Sequence, residues 1–260
     1  MAFTGAAGVP APANGPRGRP DECGGHVVRQ NERSGWLTSP SGVCYPPQPW
    51  QLGGTLVASV FRVPVRELPP VLAERVPERT RPVVVGGAAL VAAAFVHYRP
   101  GGVLHYDEVL SCVLVRSGTR PRGTIAHIWV DSRQSRAGGR ELWGIPKELA
   151  DFSRTATGRE ITVESTVDQQ VIASVRARLG PRLLPGWPAV PFATAQRLDG
   201  TDTVAHNLVV GRPRLLRAQW TFAEAGPLGH LAGRRPVLSL ALTNASITFG
   251  LATTRSAARR

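Results

Sequence analysis

Short apolar or alternating runs recur along most of the chain. They are Leu56–Val63 (LVASVFRV), Leu90–Tyr98, Val109–Val115, Thr124–Val130 (TIAHIWV), Ile161–Val167, Gln170–Arg176, Val204–Val209, Leu215–Phe222 and Val237–Phe249. Their two-residue period and their Gly, Pro, Asp and Ser boundaries predict strands. Helical signals are few: Arg66–Glu74, broken by two prolines, and the stretch after Pro146. The most apolar run, Val83–Val96, is short for a bilayer span of about 20 residues, and Gly86-Gly87 inside it predicts two buried strands around a turn. No internal repeat is visible. The pattern predicts a mainly-β (α+β) single domain with its sheet closed or sandwiched to hide its edges. Residues 1–40, rich in Pro, Gly and Ala without periodicity, read as a flexible leader. Residues 253–260 (TTRSAARR) read as a frayed Arg-rich tail, leaving 41–252 as the folded domain.

Composition supports a real core. The chain has 260 residues, 42% of them hydrophobic, which excludes wholesale disorder. Charge first points elsewhere: 31 basic against 18 acidic residues give +13, a balance suited to nucleic acid or an anionic surface. Lysine occurs only at Lys147, however, so the other 31 − 1 = 30 basic residues are arginine. Such usage matches the codon bias of a GC-rich genome. The arginines are also scattered, adjacent only at Arg234-Arg235 and Arg259-Arg260, so neither nucleic acid nor membrane is expected as a partner. Cys23, Cys44 and Cys112 lack a CxxC pattern, which argues against a disulfide framework or structural zinc and for a reducing, cytoplasmic setting. No secretory signal is evident in the N-terminal residues.

The chain lacks a phosphate-binding GxxxxGK[ST] loop, a GxGxxG turn, HExxH and GxSxG. Its histidines, His26, His97, His105, His127, His206 and His230, show no metal-ligand spacing, and no metal is expected. His97, His105 and His127 fall in strand-like runs, as core, edge or pocket residues. Lys147 stands apart. Arginine replaces lysine wherever only positive charge matters, but a guanidinium stays protonated and cannot attack a carbonyl. A lysine retained alone therefore points to amine chemistry, or to a solvated position where one lysine happened to fall.

Lys147 lies in Gly139-Arg-Glu-Leu-Trp-Gly-Ile-Pro-Lys-Glu-Leu-Ala150. This segment resembles the GRE-x-x-x-x-PK signature of the acetoacetate decarboxylase superfamily, in which the lysine after the proline forms a Schiff base with a β-keto acid. Tyr106-Asp107-Glu108 resembles the family's Tyr-x-Glu, and the C-terminal AEAGPLGHLAGRRPVLSLALTNASITFG resembles its closing strands. The resemblance spans roughly residues 43–252. It implies a closed, double-sheet β-barrel with few short helices, a Schiff-base lyase without cofactor, a small-molecule keto substrate and a homo-oligomer. Three departures accompany it: Glu148 stands where the family's decarboxylases carry a second lysine, the pocket arginine expected near Gly54 or Thr55 is absent, and Ala93 stands near an expected glutamate.

The resemblance assigns Lys147 as the nucleophile and places Glu108 on the pocket. The chemistry then has Glu108 move protons or steer the substrate, with a solvated strand edge as the alternative. Tyr106 and Trp143 become pocket walls or core, and Arg140 either binds a substrate carboxylate or pairs with Glu141 as scaffold. Trp50, Trp129 and Trp220 read as core. For Lys147 to be neutral near pH 7, its ammonium must be destabilised by ~4–5 kcal/mol. Burial alone supplies shifts of that size, and a helix starting at Pro146 would add slightly. Glu148 need not oppose this, since adjacent side chains diverge. The expected reaction is decarboxylation or aldol condensation–dehydration of a keto acid or ketone in secondary metabolism. The alternatives are a non-covalent cyclase of a polyketide-like product, marked by a wide apolar cavity with Lys147 distant or paired to Glu148, and a non-catalytic ligand or nucleic-acid binder.

Overall fold

The computed structural model describes residues 35–257. Two short strands, Leu37–Thr38 and Cys44–Tyr45, pair ahead of the main sheet. Then β1 (Trp50–Pro64), β2 (Ala88–Tyr98), β3 (Tyr106–Ser117) and β4 (Arg120–Val130) form an antiparallel meander. Helix α1 (Arg133–Trp143) and the short strand β5 (Lys147–Leu149) follow. Next come β6 (Asp151–Thr157), β7 (Glu160–Val167) and β8 (Gln170–Arg182), then β9 (Ala189–Leu198), β10 (Thr201–Phe222) and β11 (Leu238–Ala257).

Seven strands close on themselves in the order β1-β2-β3-β4-β9-β10-β11 and back to β1. β10 serves two sheets. Its first half pairs with β9, and its second half pairs with β8, which continues into β7 and β6. The result is the mainly-β closed barrel with a second sheet and few short helices.

Alternation along the strands builds two cores. Leu52 and Leu56 of β1, Val96 and Tyr98 of β2, and Tyr106 and Leu110 of β3 face the barrel interior. The intervening Phe61, Val91, Phe95, Val109 and Val113 pack outward against Val163, Val175 and Phe222. A one-residue slip of β3 would carry the interior side chains into the second core, so burial on both faces fixes the register.

The helices depart from expectation. Arg66–Glu74 resolves into a 3-10 turn at Val65–Glu67 and a single helical turn at Leu72–Arg75. The stretch directly after Pro146 is the strand β5, and the helix precedes the proline. Ser132 caps α1 by accepting from Ser135 N at 3.1 Å, and Gly144 ends it in the left-handed region at φ 64°. The buried face of α1 is Ser135, Gly138, Gly139 and Trp143, so small residues hide it from a hydrophobic scan.

Gly86 and Gly87 form the expected turn at positive φ, but Val84 and Val85 before it are exposed, an edge ribbon where two buried strands were expected. β11 continues past Phe249, pairing Thr253 with Ala205 and Ala257 with Thr201, so the expected tail is ordered to residue 257. The expected leader at residues 1–40 lies almost wholly outside the described residues, as does His26. Cys112 is a free thiol, and Cys23 lies outside the described residues. Among the described residues no helix is long and apolar enough to cross a membrane.

On the outer face of β4, His127 stacks on Trp129 and lies 6.0 Å from His230 between ring centroids. Burial lowers both pKa values to about 4, assisted by Arg75 and by the neighbouring ring at His127, and by Arg234 at His230. The rings stay neutral in the fold, whereas the unfolded chain protonates them below about pH 6.5. Their contribution is therefore fully present above pH 6.5 and is lost as pH falls from 6.5 toward 4, by up to roughly 3 kcal/mol per histidine. Urea midpoints measured at pH 7 and pH 4.5 should show that loss, and His127→Gln/His230→Gln should flatten it. A wild-type midpoint independent of pH over this range would contradict the assignment.

Candidate active site

β2 and β3 pair Tyr98 with Tyr106 and Val96 with Glu108, which aligns Tyr98, Tyr106 and Glu108 on the barrel interior. Lys147 comes from the other side of β4: α1 ends at Gly144, Ile145-Pro146 turns the chain, and β5 lays Lys147 in parallel register beside Ile128. Proline there withholds an N–H and leads into extended backbone.

Lys147 is only 4 % exposed, and so is Glu108. The Lys147 ammonium donates to Glu108 Oε2 at 2.8 Å, to Ser135 Oγ at 2.9 Å and to the Tyr106 hydroxyl at 3.3 Å. It also stands 4.9 Å from the centre of the Tyr106 ring. The Tyr98 hydroxyl donates to the second Glu108 oxygen at 3.4 Å. Gly139 makes room for the lysine stem, because a Cβ at that position would lie 2.7 Å from Lys147 Cδ. The glycine of the GRE segment is thus a packing requirement of the lysine.

Burial pushes the Lys147 pKa down, but the Glu108 carboxylate and Tyr106 outweigh it and hold the ammonium above the ordinary lysine range. This corrects the expectation of an amine depressed toward neutrality. Lys147 sits in a strand with no helix dipole behind it, and its anion lies in hydrogen-bond contact. The resting state is a buried ion pair. Burial raises the pKa of both phenols, Tyr98 most strongly, so they remain neutral donors.

A cavity of about 390 Å³ opens above the pair. Along β3 the lining runs Glu108, Leu110, Cys112, Leu114. Tyr98, Tyr106 and Leu56 lie in register at the lysine end, and Arg122 and Thr194 lie in register beside Leu114 at the other. Trp50, Trp143, Phe249 and Phe192 form a wall of successive ring contacts. Trp50, expected as core, is both buried and a cavity wall. No described histidine borders the cavity. Among the described residues no group of three or more His, Cys, Asp or Glu is placed to hold a metal ion.

The acetoacetate decarboxylase (ADC) family profile matches residues 43–225. The chain belongs to the acetoacetate decarboxylase family. Solved structures agree on the fold. Acetoacetate decarboxylase from Legionella pneumophila aligns with a TM-score of 0.61 at 17% identity, covering 92% of this chain and 95% of that one. The enduracididine biosynthesis enzyme MppR with HEPES buffer bound aligns at 0.59 and 18% identity, covering 90% of this chain and all of that one (100%). MppR complexed with pyruvate aligns at 0.56 and 16% identity, over 83% and 94% of the two chains. No curated protein matches the chain.

The departures from the family pattern have structural accounts. Glu148 points away from Lys147: its carboxylate meets Arg140 Nη1 at 2.8 Å and Arg136 Nη2 at 3.3 Å. Arg140 also donates to the Lys147 carbonyl at 3.3 Å. It is thereby engaged outside the cavity, and its acidic partner is Glu148 where pairing with Glu141 was one expectation. Gly54 cannot carry a side chain, since a Cβ would fall 1.9 Å from the His97 carbonyl oxygen. Ala93 faces the outer core, so a glutamate at that position would not reach the cavity.

Sequence reasoning singled out Lys147, Glu108, Tyr106 and Trp143, which the fold brings together around one cavity. It missed Ser135 and Tyr98. A hydroxyl on a glycine-rich helix and a tyrosine ending an apolar strand carry no signal until β2, β3 and α1 converge.

Proposed function

We propose that the protein is a Schiff-base enzyme acting on a small-molecule ketone or keto acid, with Lys147 as nucleophile and Glu108 as proton carrier. The observation that supports this most is the buried Lys147–Glu108 pair, 2.8 Å apart, facing a largely apolar cavity. Glu108, in hydrogen-bond contact with Nζ, is the base placed to take its proton as the substrate enters, leaving a neutral amine beside a carboxylic acid. The amine adds to the carbonyl carbon, and one of its two protons shifts to the oxygen to give the neutral carbinolamine. Glu108 then returns the proton to the carbinolamine oxygen, water leaves, and an iminium remains next to the regenerated carboxylate. The iminium inherits the ion pair the ammonium had, so the site is charge-balanced before and after.

The iminium is an electron sink for an adjacent C–H or C–C bond. Glu108 is positioned to accept or return the α-proton, and Ser135, Tyr106 and Tyr98 steady the pair. Aldol-type condensation and dehydration fit this site better than decarboxylation. Lys147 is already balanced by Glu108, Arg140 is engaged with Glu148, and the next cation along the wall, Arg122, borders the opposite end. A carboxylate next to the reacting carbonyl would have no partner there. The likeness to an enduracididine biosynthesis enzyme supports a biosynthetic setting. Among the rivals, a non-covalent cyclase called for Lys147 to be distant from the cavity or paired with Glu148. It borders the cavity, and Glu148 is held by two arginines.

Iminium formation and hydrolysis exchange the ketone oxygen with solvent. Incubation of 2-heptanone in ¹⁸O-water should therefore give enzyme-accelerated label incorporation, read by mass spectrometry. Incorporation at the buffer rate would sink the covalent reading.

A further inference from the structure

The cavity wall is polar at its two ends and apolar between them. Barrel-facing positions of β3 run Glu108, Leu110, Cys112, Leu114. Burial pushes the Cys112 thiol up to about 12, so it behaves as a small apolar residue.

Thr194 marks the second polar end. It is 4 % exposed, it borders the cavity, and its hydroxyl has no hydrogen-bond partner among the described residues. The phase of β9 sets it toward the lumen. Phe192, two residues before it, meets the cavity wall at Phe249 with ring centroids 6.1 Å apart. Gln196, two residues after, bonds to the backbone of Ile125 on the barrel wall. Buried hydroxyls in folded proteins rarely lack a partner.

The separation of the two ends follows from register. β5 and β9 lie in parallel against β4, Lys147 beside Ile128 and Thr194 beside Gly123. β4 is bulged between Ile125 and His127, so the facing β3 interval from Leu114 to Leu110 measures the distance: four residues at ~3.3 Å each, about 13 Å.

We propose that the substrate is an elongated apolar ketone with a second oxygen function. Its reacting carbonyl lies at Lys147, its apolar body runs past Leu110 and Cys112, and a distal hydroxyl or carbonyl bonds to Thr194. This rests on the keto-substrate reading and names its substrate class. Acetoacetate and pyruvate would fill only the lysine end of such a lumen.

Calorimetric titration with 2-butanone, 2-heptanone, 2-nonanone and 9-hydroxy-2-nonanone tests the proposal. Kd should tighten about threefold to fourfold per added methylene. The Kd ratio of the hydroxylated to the plain nonanone should shift about fivefold against the hydroxylated ligand in Thr194→Val, as expected for loss of one neutral hydrogen bond. Cys112→Phe, which plugs the middle of the lumen, should erase the chain-length gain and supplies a second route should Thr194→Val fold poorly. A Kd independent of chain length would overturn the proposal, and so would a nonanone ratio unmoved by Thr194→Val. Chain-length-dependent binding without an ¹⁸O-exchange signal would instead leave the elongated ligand standing and remove the Schiff-base reading.

Discussion

Lys147→Arg should reduce turnover of any ketone substrate to background, a loss on the order of 10⁵-fold, comparable to removal of other covalent nucleophiles. Charge is retained, but the guanidinium does not give up its proton and cannot form the iminium. The companion variant Lys147→Met should lose turnover to the same extent and stability as well. It strands the Glu108 carboxylate, 4 % exposed, whose ion-pair partner among the described residues is Lys147. Breaking a buried pair from one side costs about 3–5 kcal/mol. The double variant Lys147→Met/Glu108→Gln should regain most of that stability while remaining inactive, because no uncompensated charge is left behind. Urea denaturation of the three variants beside a turnover assay separates the two roles of the lysine. Retained turnover in Lys147→Arg would exclude a nucleophilic amine.

Glu108→Gln should lower turnover by about 10²–10⁴-fold, the usual worth of a positioned proton carrier. The sign of its pH effect is distinctive. In the native site burial depresses the Lys147 pKa, and Glu108 with Tyr106 more than reverses this. Glutamine removes the carboxylate and leaves burial as the main influence, so the lysine should titrate below the ordinary range. The amine is then neutral at lower pH. Adduct formation should persist, with its rising limb moved to more acidic pH, while the steps that need a proton returned or removed stall. A merely structural role for Glu108 would lower both in parallel and leave the limb in place. Rate profiles for adduct formation and turnover across pH 6 to 10 distinguish these outcomes.

The barrel was readable from alternation. The runs at Leu56–Val63, Leu90–Tyr98 and Val109–Val115 all fall inside long strands of the meander. The candidate nucleophile was legible because 30 arginines made the retention of one lysine informative, and the GRE-x-x-x-x-PK and Tyr-x-Glu segments linked it to Glu108. The strand pattern left a closed barrel and a sandwich both open, and only family resemblance chose the barrel, because pairing of β11 with β1 joins residues nearly two hundred positions apart. α1 escaped notice because its buried face is serine and glycine, which no hydrophobic period registers. The state of the lysine was misjudged for a related reason. Sequence showed that burial would destabilise the ammonium, but not that Glu108 would stand 2.8 Å from it while Glu148, the chain neighbour, turned to Arg136 and Arg140. Thr194 illustrates the limit: one threonine in PFATAQ acquires meaning only when β9 meets β4 and its hydroxyl finds no partner.

Borohydride trapping read by intact mass tests the central claim most directly. The protein is incubated with 2-nonanone, acetoacetate or pyruvate, reduced, and digested to locate the adduct. Because Lys147 is the sequence's only lysine, a reduced side-chain adduct should map to the peptide holding Lys147, apart from any at the α-amino group, and vanish in Lys147→Arg. Folded protein that yields no adduct at Lys147 with any of these carbonyl compounds would contradict Schiff-base chemistry at this site.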